Sequence, residues 1–325
     1  MLIFIYGDDT FQVQEKVKTM KTAFREKFDP TGLNTAEFPF EQKPKLDPGE
    51  VLQAVKSLPF LGERRMVVIR DLVSSTKKAD MDVWVDGLKS APDSSIVIFW
   101  ETTSPKALAQ KAIYKALKNE ADVHEYPFPQ IDGAKLTAWI ASRVKERDGT
   151  IGRQAVQALI ERVGPDLWQM DQEISKLVSF AKGEQISSEM VDDLVHASFE
   201  GKIFELIDAI SRRQPDKAIR LLAEERWSGA NDHYLLTMLG RQVRILLGAR
   251  ALLDENPRAS KQELASMLGV HPFVAQKALQ QAQGFSMDVL RSAHDLLFEF
   301  DQKLKTGQID AELAVDLTTT KLIQK

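Results

Sequence analysis

A strand, a glycine and then a helix is where a protein most readily holds a nucleotide phosphate, because N–H groups at the helix start point at the anion. The chain opens in that order: MLIFIYG at 1–7, then Asp8 and Asp9, then a helical pattern over 10–28. A working phosphate loop reads GxxxxGK[ST], with a Lys to neutralise phosphate charge and a hydroxyl to hold Mg²⁺. With Gly7 as the first glycine, Gln12, Val13 and Gln14 stand where Gly, Lys and Ser or Thr are needed. Asp8 and Asp9 add negative charge. At about 6 Å and an effective dielectric near 20, each like-charge pair would cost roughly 2–3 kcal/mol. Gly7, Asp8 and Asp9 therefore read as a degenerate nucleotide turn, capped by an acid and not expected to bind ATP.

Other chemistry is equally thin. There is no Cys, which excludes disulfides, thiolate metal sites and Cys nucleophiles. The five His, at 124, 196, 233, 271 and 294, form no HExxH or similar spacing, and there is no GxSxG elbow. Asp192 and Asp193 beside Glu189 read as a solvated helix face. The run RMVVIRD ends in Asp71 but lacks the Asp-Glu pair of an ATPase magnesium strand. No catalytic residue, metal or cofactor is expected. The layout is that of a nucleotide-switch protein without the nucleotide chemistry.

The elements around that turn fall into three segments. Over 1–130, strands are expected at 1–7, near 34–38, at 65–71, 94–101 and 121–128, with helices over 10–28, 49–56 and 105–119. The nearly continuous apolar runs RMVVIRD and SSIVIFWE suit strands covered on both faces, so a parallel α/β sheet follows. Over 131–200 only helices are expected, with stripes such as Val156, Leu159, Ile160 and Val163 and a break at Gly164-Pro165. Over 201–325 the pattern is again helical. Its longest stripe runs through Leu235, Leu236, Leu239, Val243, Leu246 and Leu247, more than one helix needs locally, which predicts burial between chains.

Composition bounds the function. The 325 residues hold 43 Lys and Arg against 47 Asp and Glu, a net charge of −4, which argues against a surface that wraps nucleic acid throughout. No apolar run approaches the roughly 18 residues of a membrane span, and the first apolar stretch is too short for a signal peptide. A cytoplasmic protein with no membrane partner is expected.

Five stretches, in order, resemble one family, the delta subunits of the bacterial DNA polymerase III clamp loader. They are YGDDTFQVQEKV at 6–17, SLPFLGERRMVVIRD at 57–71, DLWQMDQEISKL at 166–177, LGVHPFVAQKALQQAQGFS at 268–286 and FDQKLKTGQIDAELAVDL at 300–317. The resemblance implies an AAA+ type α/β module with a degenerate nucleotide site over 1–130. It implies a small helical lid over 131–200 and an all-α collar for oligomerisation over 201–325. Members of the family open the ring-shaped beta sliding clamp for loading onto primed DNA, with tau/gamma and delta prime as the other loader subunits; the member itself hydrolyses no ATP, and its neighbours do.

The family's clamp contact is two adjacent bulky apolar residues before a small residue and an Arg. Here the matching pair is Phe60 and Leu61, with Leu58 and Arg64 beside them. Pro59 biases Leu58 away from helical geometry, so the preceding helix should end here and expose the pair. The residues alone leave a second reading open, in which Phe60 and Leu61 cap the core under the next strand.

Two other functions compete. SKQELASMLGVHPFVAQKAL places Ala265, Gly269 and Val270 where a helix-turn-helix needs a small residue, a turn glycine and an apolar plug. Its recognition helix would present Gln276, Lys277, Gln280 and Gln281, only one of them cationic, where phosphate contacts normally supply much of the affinity. The third reading is an active ATPase of the same fold. Lys77, Lys78 and Lys106 are scattered cations that name no DNA site.

Overall fold

The computed structural model describes residues 1–38, 47–120, 122–196 and 199–324. They form two compact units, Met1–Ile131 and Asp132–Lys325. Ala121, the first residue of the last expected strand, lies outside the described residues.

The first unit alternates strands and helices: β1 (Leu2–Tyr6), α1 (Thr10–Phe28), β2 (Thr35–Phe38), α2 (Pro48–Lys56), β3 (Arg65–Arg70), α3 (Leu72–Ser75), α4 (Met81–Lys89), β4 (Ser95–Glu101), α5 (Pro105–Leu108), α6 (Ala112–Glu120) and β5 (Val123–Pro127). The strands form one sheet in the order β2-β3-β4-β1-β5, parallel throughout. Side chains alternate across the pleat. Leu2, Phe4 and Tyr6 join Val67, Ile69, Val97 and Phe99 on the face packed by Trp84, Leu88 and Leu117. Ile3 and Ile5 join Val68 and Ile98 on the other face, under Val13, Val17 and Phe24 of α1.

The helix expected over 105–119 is two helices, α5 and α6. Leu108 and Ile113 are both buried. Five residues carry a helix about 140° round its axis, so one continuous helix would not turn both inward. The break is closed by tight turns, Gln110 N–H to Ala107 O at 3.2 Å and Lys111 N–H to Leu108 O at 2.9 Å.

The second unit begins with α7 (Gly133–Lys145), β6 (Thr150–Ile151), α8 (Arg153–Val163), α9 (Leu167–Ala181), β7 (Gln185–Ile186) and α10 (Ser188–Leu194). The expectation of helices alone is corrected by β6 and β7, which pair in parallel, Ile151 opposite Ile186. Two residues each are too few to show alternation. Gly149 admits the turn before β6, where an added Cβ would sit 3.0 Å from methyls of both Val144 and Val178. Gly164, with φ of 79°, ends α8 at the expected break.

The remainder of the unit is α11 (Phe199–Ser211), α12 (Pro215–Trp227), α13 (Asp232–Glu255), α14 (Lys261–Leu268), α15 (Pro272–Ala282), α16 (Met287–Lys305) and α17 (Ala311–Gln324). Here the structure overturns one expectation. Leu235, Leu236, Leu239, Val243 and Leu246 of α13 are buried in their own chain, in one apolar cluster with Ala275, Ala278, Leu290 and Val315. The helix is the centre of the bundle, so its long stripe is no surplus left for another chain. No helix among the described residues is long and apolar enough to cross a membrane.

Candidate functional site

The segment between α2 and β3 leaves the sheet as a short exposed tip. Helix α2 stops at Ser57, whose N–H donates to Gln53 O at 3.0 Å and whose hydroxyl donates to the same carbonyl at 2.7 Å. Pro59 follows two residues later and cannot continue a helical ladder. Val51 and Val55 of α2 are buried, but Leu58, Phe60 and Leu61 are 75%, 59% and 93% exposed. Leu61 has a φ of 49°, a left-handed geometry that costs a side-chain-bearing residue roughly 1–2 kcal/mol.

The tip is tied down from below. Asn34, at the entry to β2, is 2% exposed. Its Oδ1 accepts the Phe60 N–H at 2.6 Å and its Nδ2 donates to Phe60 O at 3.0 Å. The Asn34 carbonyl accepts Met66 N–H of β3 at 2.8 Å. Its own N–H donates to both carboxylate oxygens of Asp29, at 3.1 and 3.0 Å, and Asp29 is 1% exposed. Arg65 anchors the other end of the loop by donating to Ala54 O at 2.9 Å. Arg64 lies outside the cluster and donates to Asp93 O at 2.6 Å. A further exposed apolar residue, Leu33, precedes Asn34. Sequence reading missed Asp29, Leu33 and Asn34, because the pairing with Phe60 spans 26 residues and leaves no local pattern.

The turn after β1 is short and already filled. Only Gly7, Asp8 and Asp9 separate Tyr6 from the start of α1. Gly7 N–H donates to Glu101 O at 3.2 Å, Asp9 N–H donates to Phe128 O at 3.2 Å, and Phe128 N–H donates to Tyr6 O at 2.7 Å. Buried Asp9 caps α1: its carboxylate accepts Gln12 N–H at 3.0 Å and Gln12 Nε2 at 2.7 Å. The helix start therefore carries an anion of its own chain, where a phosphate would bring repulsion. Asp8 is exposed, yet desolvation raises its carboxyl above its ordinary value.

The ends of β3 and β4 are bound to each other rather than open. Asp71, with φ of 52°, accepts Thr102 N–H at 3.0 Å and the Thr102 hydroxyl at 3.1 Å. Buried Glu101 accepts Val73 N–H at 2.6 Å and Ser74 N–H at 3.0 Å. Burial pushes its carboxyl up to about 7, against the opposing pull of those hydrogen bonds. No cluster of His, Asp and Glu suited to a metal ion occurs among the described residues.

The expected order of helix, glycine turn and helix is present in α14 and α15. Gly269 is left-handed with φ of 65°, and His271 caps α15 by accepting Phe273 N–H at 3.0 Å. Its expected reading face is not presented to solvent as a whole. Gln281 is buried and donates to Phe204 O at 3.0 Å and to Asp208 Oδ1 at 2.9 Å. Gln276, Lys277 and Gln280 line a cavity shared with Asp132, Thr137, Gln157 and Glu161 of the same chain.

Comparison with known proteins agrees across the chain. Residues 3–126 match the family described as DNA polymerase III, delta subunit. Residues 200–322 match the family of the C-terminal domain of the DNA polymerase III delta subunit. The chain is 27% identical over 328 residues to DNA polymerase III subunit delta of Bacillus subtilis (strain 168), covering 99% of this chain and 92% of that protein. Among solved structures it is similar to the Bacillus subtilis DNA clamp loader delta protein, with a TM-score of 0.72 and 25% identity, covering 100% of this chain and 95% of that one.

Proposed function

Since this chain belongs to the delta-subunit family of DNA polymerase III, we propose that it binds the beta sliding clamp through Phe60 and Leu61 and opens it for loading onto primed DNA. The carrying observation is the tip itself: two large apolar side chains, exposed in the free chain, at the end of a loop held to the sheet. Fully burying a Phe or Leu is worth roughly 1.5–3 kcal/mol, and a few such anchors dominate most interfaces. Leu58 widens the apolar surface. Arg64 supplies charge at its edge.

In this reading the chain hydrolyses no ATP itself, and hydrolysis falls to its neighbours in a loader whose other subunits include tau/gamma and delta prime. The acid-capped, three-residue turn at Gly7, Asp8 and Asp9 supports that part. Helices α7 to α10 serve as the lid and α11 to α17 as the collar that joins the partner subunits, in the cytoplasm. The test is titration of the purified chain with its own clamp. Binding that disappears in Phe60→Ala/Leu61→Ala, with an unchanged melting curve, supports the reading. Undiminished binding by that variant places the contact elsewhere.

A further inference from the structure

Asn34 is engaged through both its backbone and its side chain. Its N–H goes to Asp29, its carbonyl to Met66 of β3, and its side-chain amide to both backbone groups of Phe60. A primary amide carries a donor and an acceptor on one short, planar group. It therefore pairs with the Phe60 backbone much as a neighbouring strand would. Asp lacks the donor, and Ala offers neither. Asn34 is buried and its hydrogen bonds to Phe60 are part-buried, so water competes poorly on the Asn34 side of the bracket.

Its consequence falls on the next residue. Phe60 is fixed at its N–H and its carbonyl, and Leu61 then turns through a left-handed geometry with its side chain almost wholly in solvent. A free loop would relax that conformation. We propose that Asn34 is a positioning residue, which holds the Phe60-Leu61 tip in its clamp-binding shape before the clamp arrives. The proposal rests on the docking role argued above for that tip. The gain is preorganisation: the ordering cost of the loop is met during folding and not during binding.

The experiment compares clamp affinity and thermal melting of the wild-type chain, Asn34→Ala, Leu61→Ala, Phe60→Ala/Leu61→Ala, and Asn34→Ala combined with Leu61→Ala. Releasing about two residues of backbone should weaken clamp binding on the order of tenfold to a hundredfold in Asn34→Ala. The loss should be smaller when Leu61 is already Ala, since there is less left to position. Equal losses in both backgrounds would mean that Asn34 acts only through general stability, and the proposal fails. Wild-type affinity in Asn34→Ala, while Phe60→Ala/Leu61→Ala does not bind, overturns the positioning role and leaves the docking site standing. Wild-type affinity in Phe60→Ala/Leu61→Ala removes the docking site and the proposal together.

Two further measurements cover the case in which Asn34→Ala does not fold. In the wild-type chain the Phe60 amide should exchange with solvent at least about tenfold more slowly than the Leu61 amide, since only the first is bonded to a buried acceptor. Equal rates would show no bracket in solution. Gly62→Ala presses on the bracket from the loop side, because its Cβ would meet Asn34 Nδ2 at 3.1 Å. It should weaken clamp binding severalfold, and unchanged affinity overturns the proposal.

Discussion

A Cβ on Gly7 would overlap the backbone carbonyl of Phe128. The two segments meet because Asp9 N–H and Phe128 N–H stitch the turn after β1 to the end of β5. Backbone has no rotamer with which to retreat, so Gly7→Ala should destabilise the first unit by about 1–3 kcal/mol, read as a lower melting temperature.

The same turn predicts indifference to nucleotide. A ligand at a hundred times its Kd stabilises a protein by about 2.7 kcal/mol. Millimolar ATP with Mg²⁺ should leave the melting temperature of the isolated chain unchanged. A rise of several degrees would show that a phosphate is accepted despite the Asp9 cap.

Changing Phe60 and Leu61 to Ala should cost on the order of 2–4 kcal/mol of clamp affinity, about one and a half to three decades in Kd. Leu61 should carry the larger part, because it is the more exposed before binding. Stability should change by less than about 0.5 kcal/mol, as for surface positions generally. Titration and melting of the same preparation check both halves.

Glu101 predicts a pH dependence. Its folded carboxyl is raised to about 7 from an ordinary 4.5, chiefly by burial. The unfolded chain therefore loses this proton at lower pH than the folded chain. Stability from the neutral carboxyl is fully present below about pH 4.5 and is lost as pH rises through about 7. Denaturant titrations across that window should show the wild-type advantage over Glu101→Gln shrinking with rising pH and levelling off above it. A constant difference would mean that Glu101 does not titrate there.

Gln281 joins three helices, donating to α11 and accepting from Gln242 of α13 at 3.1 Å. Gln281→Ala should cost about 2–4 kcal/mol, because it leaves buried polar groups without partners as well as a cavity. The readout is a lower denaturant midpoint in the full chain.

Much of the architecture was legible in local pattern. RMVVIRD and SSIVIFWE are short, β-rich and apolar on both sides, as strands covered on both faces are, so a parallel sheet could be read from them. The defective phosphate loop was equally plain, because three required residue types are missing at fixed offsets from Gly7. Pattern failed where fewer residues carried it. Four residues make up β6 and β7, and Leu108 and Ile113 look helical until their common burial forces a break.

The candidate site divides along the same line. The amino-acid order by itself determined that Phe60 and Leu61 follow a proline at the end of an expected helix, and that Gln12, Val13 and Gln14 stand where a phosphate loop has Gly, Lys and Ser or Thr. It left open whether the pair faces the core or solvent, and it suggested that α13 had apolar surface to spare. Only the tertiary structure decided those points. Val51 and Val55 of α2 are the residues that enter the core while Phe60 and Leu61 stay in solvent, and the tip is bound to Asn34, 26 residues away. The stripe on α13 is consumed by α15, α16 and α17 of its own chain. Burial and long-range hydrogen bonds are properties of what surrounds a residue in space, and chain order specifies those surroundings only once the whole core has closed.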